Sequence, residues 1–211
     1  MQLIGMLDSP YVRRTAIAMA LLGLPFEHYA VSVFSTFAQF QGINPVVKAP
    51  TLVCDDGTIL MDSSLIISYA EALAAPHRLM PKDLSALQHD LHLISLSLAA
   101  CEKAVQTVYE RNLRPAEKQH QPWLDRIHGQ LLAAYGLLEA ASKKSNWAVA
   151  DGQISLAMIT IAVVWRFTAE MLPEVARTAD YPTIATLCAQ MEQLPAFIAY
   201  PPAGPGVPSA P

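Results

Sequence analysis

From Gln2 to about Leu73 the spacing of apolar positions switches repeatedly between strand-like and helical. Gln2-Leu3-Ile4-Gly5-Met6 is a short apolar run that predicts a strand. After the break at Ser9-Pro10, Val12, Ala16, Ile17, Met19 and Ala20 fall at helical spacing, and Gly23 followed by Pro25 supplies a stop. Tyr29, Val31 and Val33 alternate with Ala30 and Ser32 and predict a second strand, while Ser35 to Gly42 reads as a weak, Gln-rich helix or loop. Thr51-Leu52-Val53-Cys54 and Thr58-Ile59-Leu60-Met61 flank Asp55-Asp56-Gly57. That is a hairpin, because Gly supplies the positive φ a tight turn needs. Asp62, Ser63 and Ser64 are capping residues for a helix striped by Leu65, Ile66, Tyr69 and Leu73. The order β-α-β-(α)-β-β-α predicts a small α/β layer on a mixed sheet.

From Asp83 onward strand signals stop. Helical patterns recur at 83–112, 116–141, 154–171 and 181–193, and Pro76 and Pro81 mark the junction before them. The expected organisation is therefore an α/β domain over 1–75, a linker over 76–82 and an all-helical domain over 83–200. A Pro-rich tail follows over 201–211, with too few apolar anchors to fold alone.

Composition sharpens this picture. At 53% hydrophobic and 15% charged residues the chain is too apolar for disorder and raises the question of a membrane. The most helical apolar run, Ile154 to Trp165, ends at Arg166, well short of the ~20 residues that a spanning helix needs. The segment Met1 to Asp8 meets an acid before any apolar signal core forms, so a cytoplasmic location is the default expectation. Fourteen Lys and Arg against eighteen Asp and Glu leave a net charge of −4 with no basic run, which argues against nucleic acid as a partner. Cys54, Cys101 and Cys188 lie far apart and form no CxxC pair, so they read as buried thiols rather than a disulfide or zinc framework.

Three places in the first half can carry chemistry. Ser9 opens the first helix directly after the first strand, so its hydroxyl stands where backbone N–H groups and the positive helix end point. With Pro10 at the first helical position it is also an ordinary N-cap. A dithiol helix would need Cys at both ends of a four-residue motif, where this chain has Ser9 and Val12; dithiol exchange is excluded there. Ala49-Pro50 stands immediately before a strand and is a candidate cis bond, which would offer the Ala49 N–H and C=O to an extended peptide ligand. Asp62-Ser63 begins the next helix, where N–H groups and a hydroxyl would hold a carboxylate and Asp62 an ammonium. Together they suit an α-amino acid head group, although an ordinary helix cap has the same residues.

Taken in order, Ser9-Pro10-Tyr11-Val12-Arg13-Arg14, Asn44-Pro45 through Lys48-Ala49-Pro50-Thr51-Leu52, and Leu60-Met61-Asp62-Ser63-Ser64-Leu65-Ile66 resemble the glutathione S-transferase family. Tyr109-Glu110-Arg111-Asn112-Leu113-Arg114-Pro115, Trp123 and Arg126 resemble its bacterial members, and the likeness covers about residues 1 to 195. The resemblance implies a thioredoxin-like domain that holds glutathione, an all-α domain that supplies an electrophile pocket, and a homodimer without metal. By position, Ser9 would face the glutathione sulfur, and Ala49, before Pro50, would pair with the cysteinyl part. Lys48 would lie near the ligand, and Asp62 and Ser63 would bind the γ-glutamyl group. Leu7, Tyr11, Cys101, Val105, Tyr109 and Trp165 would flank the pocket of the hydrophobic electrophile.

Two departures stand out. Asp8 puts a carboxylate beside the expected thiolate, which would oppose its ionisation if it pointed inward. Ser155-Leu156-Ala157-Met158 matches the family's Ser/Thr-x-x-Asp helix cap except that Met158 replaces the closing acid. His89 and His92, two potential ligands without a third, read as a solvated face. Two readings of function follow: an enzyme joining glutathione to an electrophile or using it in a related reaction, and a glutathione-binding regulatory protein on the same scaffold.

Overall fold

The computed structural model describes residues 1–145, 147, 149 and 152–208, which form two compact units. The first comprises Met1–Leu79 together with Leu194–Gly206, and the bulk of the second is Met80–Gln193. The chain first passes from one to the other between Leu79 and Met80.

In the first unit, strands β1 (Gln2–Ile4), β2 (Glu27–Tyr29), β3 (Thr51–Val53) and β4 (Ile59–Met61) form one sheet in the order β2-β1-β3-β4. β1 runs parallel to β2 and antiparallel to β3, and β3 is antiparallel to β4, so the sheet is mixed as the pattern predicted. The β3–β4 turn has Gly57 at φ 85°, with Cys54 N–H donating to the Thr58 carbonyl. Helix α1 (Pro10–Leu21) buries Val12, Ala16, Ile17 and Met19, and α3 (Ser63–Leu73) buries Ile66, Ile67 and Ala70, each helix giving the sheet its apolar stripe. Helix α2 (Phe37–Ile43) is pinned by Phe40, its one buried residue.

The second strand lies earlier than the valine alternation predicted. β2 pairs Glu27, His28 and Tyr29 with Gln2, Leu3 and Ile4, and the short partner is used up before Val31 is reached. Val31 and Val33 instead pack from a loop against Ile4 and Phe40, so their spacing records burial rather than pairing.

The C-terminal segment also departs from expectation, since 194–206 belongs to the first unit and not to the helical domain or a free tail. Short helix α8 (Pro195–Ala199) buries Phe197, and the Tyr200 ring stacks on Phe26 with centroids 5.6 Å apart. Arg13, itself buried, donates from Nε to the Tyr200 carbonyl at 2.8 Å and lies over the Phe197 ring. The segment's own composition held too few anchors, and α1 provides the rest. Ser209, Ala210 and Pro211 of the expected tail lie outside the described residues.

The second unit contains α4 (Leu84–Leu113), α5 (Gln121–Ser142), α6 (Leu156–Met171) and α7 (Pro182–Met191). α5 begins later than the apolar period suggested: a separate 3-10 turn spans Ala116–Lys118, and Pro122 sits in the first turn of the helix that follows. α6 is buried continuously from Leu156 to Trp165 and packs on α4 and α7. Trp165, Tyr135 and Tyr181 form an aromatic cluster at its centre, and the Tyr135 hydroxyl donates to Thr168 at 2.7 Å. The three cysteines are buried thiols outside any disulfide, and no helix among the described residues is long and apolar enough to cross a membrane.

Ser155 caps α6 by accepting from the Met158 N–H at 3.3 Å. The buried Asp90 carboxylate of α4 lies near the Ser155 side chain, whose hydroxyl pulls its pKa down against the larger effect of burial. Glu139 of α5 serves the start of α7, accepting from the Thr183 and Ile184 N–H groups at 3.1 Å each.

Candidate functional site

The register of the sheet gathers the three candidate segments. Ile4 pairs with Thr51, and Thr51 pairs with Met61, so the C-terminal ends of β1 and β4 and the start of β3 lie side by side. The segments they lead to or from are Gly5–Ser9, Lys48–Pro50 and Asp62–Ser63. Residues far apart in sequence therefore meet at one end of one sheet.

Gly5 shows how closely they meet. At φ +139°, a Cβ there would stand 2.6 Å from Val12 Cγ2 and 3.3 Å from Ala49 Cβ, so the approach of β1 to α1 and to the Ala49 loop requires glycine. Ser9 then caps α1, its Oγ accepting from the Val12 N–H at 3.5 Å. Because that bond uses a lone pair, the Ser9 proton stays available to donate to a ligand.

The Ala49-Pro50 bond is cis, with Pro50 buried and Ala49 half-buried. Two residues that the sequence reading did not single out hold this loop. Buried Asn44 donates from Nδ2 to Thr51 Oγ1 at 2.8 Å and accepts from Val46 N–H, while Thr51 Oγ1 donates to the Lys48 carbonyl at 2.7 Å. Lys48 itself is exposed.

Asp62 caps α3 at φ 75°, a conformation non-glycine residues seldom adopt, and its Oδ1 accepts from the Ser64 N–H at 2.9 Å. Ser63 is buried, and its Oγ accepts from Arg14 Nη1 at 2.8 Å. The same nitrogen reaches Ser64 Oγ at 3.2 Å. Arg14 is thus a buried cation from α1 set against the start of α3, and it leaves the Ser63 proton free to point elsewhere. Arg13 and Arg14 are both buried in α1, together with Val12, Thr15, Ala16 and Ile17.

Asp8 has its partner in the C-terminal segment. Its Oδ2 accepts from the Gly206 N–H at 2.8 Å, so the carboxylate faces the C-terminal segment. Burial pushes its pKa above the ordinary carboxylate value, against the N–H groups of Gly206 and Ser9, which pull it down.

The residues expected at the electrophile pocket divide. Leu7 is buried and Tyr11 half-buried in the first unit, next to Ser9 in sequence. On α4, Tyr109 is exposed and Val105 half-buried. Cys101 and Trp165 are corrected to core positions: Cys101 has no exposed surface, and Trp165 is closed in by Tyr135 and Tyr181. Helical spacing cannot tell a pocket wall from the buried stripe beneath it. His89 and His92 are exposed, and no group of His, Cys, Asp and Glu suited to a metal occurs among the described residues. Arg114 pairs with Glu110, one turn earlier in sequence, at 2.8 Å, and Arg111 with the distant Glu174.

Against known proteins, residues 3–78 match the profile of the glutathione S-transferase N-terminal domain. A glutathione S-transferase of Triticum aestivum is 29% identical over 208 residues, covering 93% of this chain and 91% of that protein. The crystal structure of a glutathione S-transferase from Methylobacterium radiotolerans in complex with glutathione sulfonate superposes with a TM-score of 0.85 at 27% identity, over 100% of this chain and 95% of that one. A glutathione transferase family member from Pseudomonas fluorescens Pf-5 with bound glutathione gives 0.82 at 27% identity, over 96% and 99%.

Proposed function

Profile, relatives and solved structures all support the glutathione S-transferase family, and from that premise we propose that this protein is a Ser-type glutathione transferase. It joins the glutathione thiolate to a hydrophobic electrophile. The observation that carries the reading is the convergence of Ser9, cis Ala49-Pro50 and Asp62-Ser63 at one end of the sheet. Each offers what one part of a γ-glutamyl tripeptide needs.

Asp62 takes the ammonium and Ser63 the carboxylate of the γ-glutamyl group, with the Ser63 hydroxyl oriented by Arg14. The N–H and C=O of Ala49 pair with the cysteinyl backbone in strand fashion, and Lys48 stands nearby for the remaining carboxylate. That places the sulfur at Ser9. The thiol gives its proton to solvent, and the Ser9 hydroxyl and the N-terminus of α1 stabilise the thiolate left behind. The sulfur lone pair then attacks the electrophilic carbon, forming the C–S bond while the displaced electron pair leaves with its group or is protonated. Ser9 acts as a donor throughout. Its Oγ accepts from the Val12 N–H, and the ligand supplies a far better nucleophile than a hydroxyl.

We further propose that the protein works as a cytoplasmic homodimer. On α3 Leu65, Tyr69 and Leu73 are 66%, 37% and 47% exposed at one-turn spacing, an apolar stripe suited to a second copy. The test is retention on immobilised glutathione followed by a spectrophotometric panel of aryl and alkyl electrophiles. Retention with turnover is expected. Retention without turnover on any electrophile would support the regulatory reading, and failure to be retained would contradict both.

A further inference from the structure

The segment Tyr200–Gly206 crosses the turn that carries Ser9 and is tied to it on both sides. Upstream, buried Arg13 holds the Tyr200 carbonyl at 2.8 Å and the Phe197 carbonyl at 3.5 Å. Downstream, the Asp8 N–H donates to the Ala203 carbonyl at 3.1 Å, and Asp8 Oδ2 accepts from the Gly206 N–H at 2.8 Å. Between these ties the fit leaves no slack: a Cβ at Gly204 would lie 2.1 Å from Asp8 Oδ2 and 2.2 Å from Asp8 Cγ. Gly206 is needed for a different reason, since it stands at φ +70° to aim its N–H at the carboxylate. Within the turn, the Ser9 N–H donates to the Met6 carbonyl at 3.2 Å, the Arg13 N–H to the Ser9 carbonyl at 2.9 Å and the Val12 N–H to Ser9 Oγ at 3.5 Å.

We propose that Asp8 is a positioning residue for Ser9: by latching the strap Ala203–Gly206 it fixes the turn from which the Ser9 hydroxyl reaches the glutathione sulfur. The carboxylate serves as a hydrogen-bond acceptor for the strap and does not act on the sulfur. This rests on the transferase reading for its catalytic consequence, while the latch itself is a property of the protein without ligand. It also accounts for an acid next to a site that must favour an anion, because the strap turns that acid aside.

Three variants of the full chain decide the matter: Asp8→Ala, which removes the acceptor; Asp8→Asn, which keeps an acceptor without charge; and Gly204→Val, which wedges the strap away. The first readout is the pH at which bound-glutathione thiolate absorbance appears, taken with glutathione affinity by calorimetry. Asp8→Ala and Gly204→Val should move that pH up by about one unit, a tenfold change in thiol ionisation, with affinity within about twofold of wild type. Asp8→Asn should stay near wild type. If Asp8 acted through its charge, Ala and Asn would both lower that pH, and the proposal would be overturned.

The second readout is amide hydrogen exchange at Asp8 and Arg13 without ligand. It should speed up about tenfold or more in Asp8→Ala and Gly204→Val and little in Asp8→Asn. Unchanged exchange in the first two overturns the latch. Should wild type bind no glutathione, the transferase reading fails while exchange still decides the latch.

Discussion

Single side chains at the site are held by partners the local sequence does not announce. Ser63 is an obvious cap, yet its hydroxyl is fixed by Arg14 from another helix, so the two should behave as a unit. Removing the hydroxyl takes away a charge-assisted contact worth about 1.5–3 kcal/mol. Ser63→Ala should therefore weaken glutathione binding by roughly ten- to a hundredfold in a calorimetric titration, and unchanged affinity would place the γ-glutamyl group elsewhere. Arg14→Lys tests the geometry behind that hydroxyl. A lysine carries its charge on a compact ammonium at the end of a flexible stem and does not reproduce the guanidinium position from which Nη1 donates to both Ser63 and Ser64, so affinity should fall even though the charge is kept. Arg14 was hidden from a sequence reading because its role depends on two helices meeting. Ser9, Ala49, Pro50, Asp62 and Ser63 were legible because each stands at the end of a short, well-punctuated element.

At the scale of elements, the second unit sets buried acids of one helix near the start of another. Met158 leaves α6 without the acid that would close its cap, and the nearby buried acid is Asp90 of α4. Met158 is 3% exposed, so Met158→Asp would bury a second carboxylate close to the first. We expect a loss of about 1–3 kcal/mol, read as a melting temperature lower by several degrees with turnover per folded molecule unchanged.

Asp90 also gives a pH dependence with a definite sign. Desolvation holds its carboxyl above the ordinary value, against the Ser155 hydroxyl and nearby His89. The native state therefore prefers the protonated form. The contribution is most favourable below the unfolded pKa, roughly 3.9, and is lost as pH rises through the higher folded value. Urea midpoints of wild type and Asp90→Asn should accordingly diverge in favour of the variant as pH rises above the unfolded carboxylate value. Glu139 behaves oppositely. Burial raises its pKa, but the hydrogen bonds to Thr183 and Ile184 outweigh this and hold it below the ordinary range. Periodicity showed the helices but not these ties, because a buried acid on a long helix looks in sequence like any polar position on a solvated face. The misplaced second strand has the mirror cause: Val31 and Val33 alternate because a loop buries them, and no pairing partner is left for them.

For the whole molecule, the element order was readable almost throughout, whereas the return of 194–206 to the first unit was not. That return is set by Arg13, Phe26 and Asp8, all near the start of the chain. A chain ending at Gln193 should leave the buried Arg13 guanidinium without the Tyr200 carbonyl and uncover its apolar surroundings. Limited proteolysis should then cut the first unit more readily than the second, and equal resistance would mean that the segment is dispensable.

The central claim is that Ser9 stabilises a glutathione thiolate. A free thiol ionises near pH 8.5, and lowering that by about two units makes most of the bound ligand reactive at neutral pH, a differential stabilisation of about 2.7 kcal/mol. The most direct measurement is an ultraviolet difference titration of glutathione bound to wild type and to Ser9→Ala, with affinity determined on the same samples. The account predicts thiolate absorbance at neutral pH for wild type and at clearly higher pH for Ser9→Ala, with affinity changed much less. Superimposable titration curves would contradict it and transfer the role to the backbone amides at the start of α1.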